Sequence, residues 1–294
     1  VSLNSHLLKA KTAKNDEFYT LYEDIEREMV YYHKHLKGKS VYLPCDNPRF
    51  SMFWKYFVDN FEVIGLKQVM ATYLSTDSAE IWVKTAAGTT IRPLKSNGDF
   101  RSEECKGYLK SCDVVITNPP FSLFRELLDL ILASEKDYIL MGTLNVITYK
   151  IAFPLLQQGK MWLGVNKRIK NFKQPDGTLK SFGNIVWFTS MDHGITLPEI
   201  PLTKKYDPDK YPKYDHYDAI NVDRVADIPK DYYSEMGVPI TFMLKYNPEQ
   251  FEIIDALNQY STLHGPTPET RGRYLTAING KIKYVRVVIK RKVV

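Results

Sequence analysis

The segment Asp113-Val-Val-Ile-Thr-Asn-Pro-Pro-Phe121 changes character abruptly in its middle. Val114, Val115 and Ile116 are contiguous and β-branched, the pattern of a central parallel strand buried on both faces. Proline offers no N–H to a sheet ladder, so a strand here stops at Asn118-Pro119-Pro120. From Ser122 onward, Leu123, Phe124, Leu127, Leu128, Ile131 and Leu132 recur at helical spacing. The Asn-Pro-Pro-Phe turn therefore sits at the carboxyl end of a strand, before a helix. Open α/β sheets hold their ligands there.

The segments on either side fit the same architecture. Upstream, Leu21, Ile25, Met29, Tyr32 and Leu36 form the apolar face of a helix, and Val41-Tyr42-Leu43 reads as a first strand ending in Cys45-Asp46-Asn47-Pro48. A helix carrying Phe53, Trp54 and Phe57, a second strand over 66–74 and a hairpin around Ala87-Gly88 come next. Asn97-Gly98-Asp99-Phe100 is a turn before a short helix over 102–111. Downstream, Tyr138–Gly142, Met161–Val165 and Ile185–Thr189 read as strands and 153–158 as a helix. From Gly194 to Lys230 the periodicity fades. Val238–Lys245 is then expected as a strand, Pro248–Leu257 as a helix and Lys281–Ile289 as a basic strand. The expected fold is a doubly wound α/β sheet, although no Gly-x-Gly turn follows the first strand.

The elbow suits one chemical task. The Asn118 side-chain oxygen and the Pro119 carbonyl are both acceptors for an exocyclic amine. Pro119 and Pro120 stiffen the turn that carries them. Phe121 offers a flat face for a planar ring. The plain structural alternative is a strand-to-helix turn with Asn as a cap and Phe as core.

The chain resembles the amino-group DNA methyltransferases, and among them the EcoRI-type adenine-specific family. The resemblance rests on Asn118-Pro-Pro-Phe121, Lys14-Asn-Asp-Glu-Phe-Tyr-Thr20, Gly98-Asp99-Phe100, Tyr214-Asp-His-Tyr-Asp-Ala-Ile220, Met236-Gly-Val-Pro-Ile-Thr-Phe242 and Lys245-Tyr-Asn-Pro-Glu-Gln-Phe251, and it covers most of the chain. It implies a Rossmann-like methyltransferase sheet and S-adenosylmethionine as methyl donor. It assigns Phe18, Tyr19 and Thr20 to the donor's methionine part, and Asp99 and Phe100 to its adenine. Asp46 would pair with the donor's amino group, where a simple Asx turn is the alternative. The acceptor would be N6 of an adenine swung out of duplex DNA. Residues 1–193 are expected to bind the donor and perform catalysis, and 194–294 to recognise the target. A restriction nuclease acting on the same site is the partner such an enzyme implies.

The bulk numbers agree. The 294 residues are 44% hydrophobic and 25% charged, with a net charge of +6, a mild basic excess that permits a nucleic-acid partner. From Arg271 to the end, basic residues including Arg271 and Arg273 meet no Asp or Glu. Lys167, Arg168 and Lys170 crowd another connection, as a solvated face or a phosphate track. Tyr214 and Tyr217 lie among lysines and prolines, as part of a long surface connection or as contacts to bases. Cys45, Cys105 and Cys112 show no Cys-x-x-Cys spacing, and the histidines show no metal spacing, so neither a metal site nor a disulfide framework is expected. No apolar run approaches the length of a membrane span, and a reducing, cytoplasmic setting is expected. Three other readings remain open: a different amine acceptor (cytosine N4, RNA adenine or protein glutamine), an inactive methylase fold that binds DNA, and an unrelated nucleotide-binding module.

Overall fold

The contiguous apolar runs of the sequence become the middle of one large sheet. The computed structural model describes residues 19–167, 169–173, 178–257 and 275–293. Strand β1 (Tyr19–Thr20) and helix α1 (Tyr22–Met29) lead into β2 (Ser40–Leu43), helix α2 (Met52–Asp59) and β3 (Gln68–Ala71). Hairpin β4 (Glu80–Thr85) and β5 (Gly88–Pro93) precedes helix α3 (Glu103–Ser111), β6 (Val114–Thr117), helix α4 (Phe124–Ala133) and β7 (Asp137–Thr143). Strands β8 (Trp162–Leu163), β9 (Ile169–Lys173) and β10 (Leu179–Thr189) follow.

The strand order is β1-β9-β10-β7-β6-β2-β3-β4-β5, with β8 also on β10. Strands β7, β6, β2 and β3 run parallel, and antiparallel partners flank them on both sides. The chain winds from β2 to β3 in one direction, then returns to the other side of β2 for β6 and β7. The carboxyl tips of β2 and β6 thus flank the point where the winding reverses. Both strands are buried at every position, as their contiguous apolar residues require.

A buried carboxylate ties α1 to the turn after β8. Glu28, fully buried on α1, accepts from Tyr32 Oη at 2.9 Å, Val165 N at 2.9 Å and Asn166 N at 2.7 Å. Burial pushes its carboxyl pKa up, and the bonds from Asn166, Tyr32 and Val165 oppose that. The turn just before Lys167 is fixed in this way.

The chain divides into two compact units, Val1–Thr143 with Trp162–His193, and Leu144–Met161 with Gly194–Val294. The second contains β11 (Ile220–Asn221), β12 (Met236–Pro239), β13 (Phe251–Leu257), the hairpin β14 (Ala277–Ile278) and β15 (Lys281–Ile282), and β16 (Arg286–Arg291). Its main sheet has the order β11-β12-β16-β13. Three expectations are corrected here. Residues 251–257, expected as helix, are a strand: Phe251 and Ile253 point inward, Glu252 points outward, and the backbone pairs along β16. The strand expected to reach Lys245 ends at Pro239 and gives way to a 3-10 turn over Ile240–Lys245. The expected basic strand over 281–289 is two elements, and Arg286 to Ile289 is the buried middle of the sheet.

The Lys245–Phe251 block has an architectural task. Asn247 accepts from Glu249 N at 2.7 Å and donates to Leu197 O at 2.7 Å. Gln250 accepts from Ile200 N at 2.8 Å and donates to Ile200 O at 2.9 Å. Two side-chain amides thus satisfy the backbone of a segment that has no sheet partner of its own. Among the described residues no helix is long and apolar enough to cross a membrane.

Candidate active site

The tips of β2 and β6 are joined by one carboxylate. Thr117 Oγ1, the last side chain of β6, donates to Asp46 Oδ2 at 2.7 Å, and Ser51 Oγ donates to Asp46 Oδ1 at 2.7 Å. Ser51 in turn caps α2 by accepting from Trp54 N at 3.2 Å. Asp46 is only 8% exposed, and burial pushes its pKa up to about 6 against the pull of the two hydroxyls. Cys45 lies beside it, its thiol pushed well up by burial and by the neighbouring Asp46 charge. The backbone of this tip is tied to the end of β3: Asp46 N donates to Thr72 O at 3.2 Å and Thr72 N to Leu43 O at 3.1 Å.

The turn Asn97–Arg101 docks onto the chain just past β3. Ser75 N donates to Asn97 O at 2.9 Å. Gly98 has φ +78°, and a Cβ there would lie 2.0 Å from Tyr73 O, so both conformation and contact require glycine. Asp99 is held by Arg101: Oδ1 accepts from Nε at 2.9 Å and Oδ2 from an Nη at 2.6 Å. The same guanidinium reaches Glu126 on α4 at 3.2 Å, linking this turn to the helix that follows the Asn-Pro-Pro-Phe elbow. Phe100 is buried, with the Arg101 guanidinium 5.7 Å from its ring centre.

At the elbow itself, Pro119 is buried, while Asn118, Pro120 and Phe121 are half-buried. Asn118 Nδ2 donates to Thr20 Oγ1 at 3.4 Å, and Thr20 Oγ1 donates to Met141 Sδ at 3.2 Å. Thr20 is itself placed by the pairing of β1 with β9. The N-terminal strand, distant in sequence, thereby orients the amide of the elbow. Phe121 begins a single 3-10 turn and packs one side against the main core.

The residues expected at this site thus come together in part by direct bonds. Thr20 meets Asn118, and the Asp46 tip is joined to Thr117, the residue before Asn118. Phe18 lies outside the described residues, and of Tyr19 only the backbone is described. Sequence reading missed Ser51, Thr117 and Arg101. Thr117 and Arg101 adjoin the motif positions, but nothing in their type signals a bond to Asp46 or a clamp on Asp99.

Of the residues expected at DNA, only Lys167, Tyr214 and Tyr217 are described with their side chains. Lys167 is half-buried just after the turn that Glu28 fixes. Arg168, Arg271 and Arg273 lie outside the described residues, and Lys170 is described only as backbone of β9. Tyr214 and Tyr217 are internal, not surface stacking platforms, which corrects the reading of them as contacts to bases. Tyr214 Oη donates to Asn221 Oδ1 at 2.9 Å, Tyr217 Oη donates to Glu235 Oε2 at 2.8 Å, and both rings join a core cluster with Leu257, Leu275 and Val288. Buried tyrosines with satisfied hydroxyls are scaffold.

The sheet is of the Rossmann-like methyltransferase type, and the elbow stands where such a sheet holds its ligands. The chain belongs to the EcoRI-type adenine-specific methyltransferases: the family model described as "Adenine-specific methyltransferase EcoRI" matches residues 6–90 and 83–292. It is 39% identical to the type II methyltransferase M.EcoRI of Escherichia coli, over 98% of this chain and 97% of that protein. It is 36% identical to M.MpnI of Mycoplasma pneumoniae, over 97% of each, and 34% identical to M.MgeORF184P of Mycoplasma genitalium, over 98% of this chain and 99% of that one. Membership makes the protein an adenine-specific methyltransferase, an enzyme that requires a methyl donor.

Proposed function

We propose that this protein transfers a methyl group from S-adenosylmethionine to N6 of an adenine flipped out of duplex DNA. The observation that carries the reading is the oriented Asn118 amide at the switch point, one residue beyond the Asp46–Thr117 bond. S-adenosylmethionine supplies a methyl carbon on a positively charged sulfur and carries an ammonium group on its amino-acid part. The donor set suits such a cation: Asp46 is a buried carboxylate whose oxygens each accept one hydroxyl and by valence have room for one further donor. Asp99, Phe100 and Thr20, with Phe18 and Tyr19, complete the residues assigned to the donor.

The chain's own residues then hold the acceptor. Asn118 Oδ1 and the Pro119 carbonyl accept from the adenine amine and aim its nitrogen at the methyl carbon. Phe121 stacks on the base. Pro119 and Pro120 keep the acceptors in place, so little reorganisation remains at the moment of transfer. The first unit would perform this chemistry and carry Lys167, Arg168 and Lys170 as candidate cations, and the second, with Arg271 and Arg273, would help hold the target duplex. A restriction nuclease of the same specificity is the partner this implies. Methylated DNA should resist that nuclease, and cutting at the methylated site would count against the pairing.

The test is label transfer. With tritiated donor and duplex DNA, the full chain should place label in N6-methyladenine on digestion. Label confined to cytosine, RNA or protein would overturn the assignment. Asn118→Ala should lower single-turnover methylation about a thousand-fold while donor and DNA affinities stay within a few-fold. An unchanged rate would remove Asn118 from the chemistry.

A further inference from the structure

We propose that the hairpin β14–β15 and the residues just after it, through Tyr284, enter a groove of the DNA, with Lys281 and Lys283 on phosphates and Ile282 and Tyr284 against the bases. The inference rests on the DNA-methyltransferase reading and assigns the element that touches the target. Its backbone is fastened at several points. Asn279 and Gly280 reverse the chain at φ 48° and 72°, and Ala277 pairs with Ile282 across the turn. The Asp215 carboxylate accepts from both turn amides, Asn279 N and Gly280 N, at 2.8 Å each, and Asp215 N donates to Ala277 O at 2.8 Å. Ile278 packs into the cluster built by Tyr214 and Tyr217. Thr276 Oγ1 donates to Lys283 O at 2.8 Å, and the buried Arg286 donates to Tyr284 O at 3.3 Å.

The side chains that follow the turn, from Lys281 to Tyr284, reach solvent. Tyr284 is 89% exposed, more than any other large hydrophobic residue described, and Ile282 is 51% exposed. They alternate with Lys281, exposed, and Lys283, half-exposed, and no acid occurs anywhere from Arg271 to the end of the chain. Contiguous exposed apolar side chains rimmed by charged ones mark contact surfaces. The flanking cations make the fitting partner a polyanion, and a two-stranded ribbon has the width of the DNA major groove. Aromatic and aliphatic side chains contact bases there, while lysines displace counterions from the backbone.

The experiment uses the full chain and begins by sequencing the adenines it methylates. Cognate duplex is then compared with one changed by a single base pair. Tyr284→Ser and Ile282→Ser should each lower kcat/KM on the cognate site at least ten-fold through KM, and narrow the preference over the altered site. Lys281→Ala and Lys283→Ala should each flatten the slope of log affinity against log salt by about one. Donor affinity by calorimetry should match wild type in all four, because the hairpin is outside the donor site. If wild type methylates its site and the variants keep its preference and salt slope, the hairpin assignment is overturned while the functional reading stands. If the variants alter only sedimentation, the patch joins copies of the chain and the proposal also fails. If wild type methylates no DNA, the functional reading is overturned first.

Discussion

The carboxyl edge of the large sheet and the interior of the second unit use their family-like blocks in opposite ways. At the sheet edge, side chains from separate segments bond to one another: Asp46 with Thr117, Asn118 with Thr20, and Arg101, which also holds the nearby Asp99, with Glu126. In the second unit Tyr214, Tyr217 and Asn247 of these blocks turn inward. Tyr214 shares Asn221 Oδ1 with Arg286 from outside the blocks, and Asn247 and Gln250 bind backbone. In the first region the distinctive residues are tied together where the proposed reaction would take place. In the second, Tyr214, Tyr217 and Asn247 build a scaffold, and the proposed contact with DNA falls to side chains outside the blocks. A recognisable stretch therefore marks a physical constraint, and only geometry says whether that constraint is reaction or packing.

Two glycines break or sharpen this contrast most strongly. At Gly98 a Cβ would meet the Tyr73 carbonyl at 2.0 Å, with φ +78°. At Gly237 a Cβ would meet Tyr214 Oη at 2.2 Å and its ring at 2.8 Å, and that ring is buried, with little room to swing aside. Gly98→Ala and Gly237→Ala should each lose on the order of 3 kcal/mol in urea melts. Only Gly98→Ala should also lose donor affinity, at least ten-fold by calorimetry, in conditions where both variants are folded. Equal loss of donor binding in Gly237→Ala would mean that the two regions cannot be separated as argued.

Asp46 gives the next effect, and its sign is unusual for a carboxylate. Its folded pKa, about 6, lies above the ordinary 3.8 because burial disfavours the charge. Between those values the folded protein keeps a proton that the unfolded chain has released. Stability therefore falls as pH rises through that window, and the full cost, on the order of 2–3 kcal/mol, is present above about pH 6. Asp46→Asn should melt higher than wild type at pH 7.5, with the gap closing toward pH 4, yet bind the donor more weakly. For wild type, donor binding should take a proton off Asp46 and strengthen as pH rises through 6. A variant less stable than wild type at pH 7.5 would show that the two hydroxyl bonds outweigh the cost of burying the charge.

How much of this was legible in the sequence follows from how local each cause is. β2 and β6 were readable because their burial on both faces is written as contiguous apolar residues. The elbow was readable because proline cannot continue a ladder. The Asp46–Thr117 bond was not, since its partners are 71 positions apart and a threonine ending a strand looks like any other. β13 was misread because Phe251-Glu-Ile-Ile-Asp-Ala-Leu257 satisfies helical spacing as well as alternation, and its pairing with β16 decides the matter. β9 escaped notice because Ile169 and Phe172 are its only apolar residues, between lysines and an asparagine. Tyr214 and Tyr217 looked like surface residues because their neighbours are polar, whereas their rings fill the cluster under the hairpin.

The smallest effect tests that last point. Tyr217→Phe keeps the ring in the core cluster and removes only the hydroxyl that donates to Glu235 Oε2 at 2.8 Å. Glu235 still reaches solvent, so the loss should be that of one partly exposed hydrogen bond, about 1 kcal/mol. Thermal melts should show this modest drop, while DNA affinity and its salt slope stay at wild-type values, because an inward-facing ring has no base to stack on. A ten-fold loss of DNA affinity without a change in melting temperature would reverse the assignment. It would mean that the Tyr217 ring leaves the cluster to meet the duplex, and that the second unit, like the sheet edge, keeps its distinctive residues for contact.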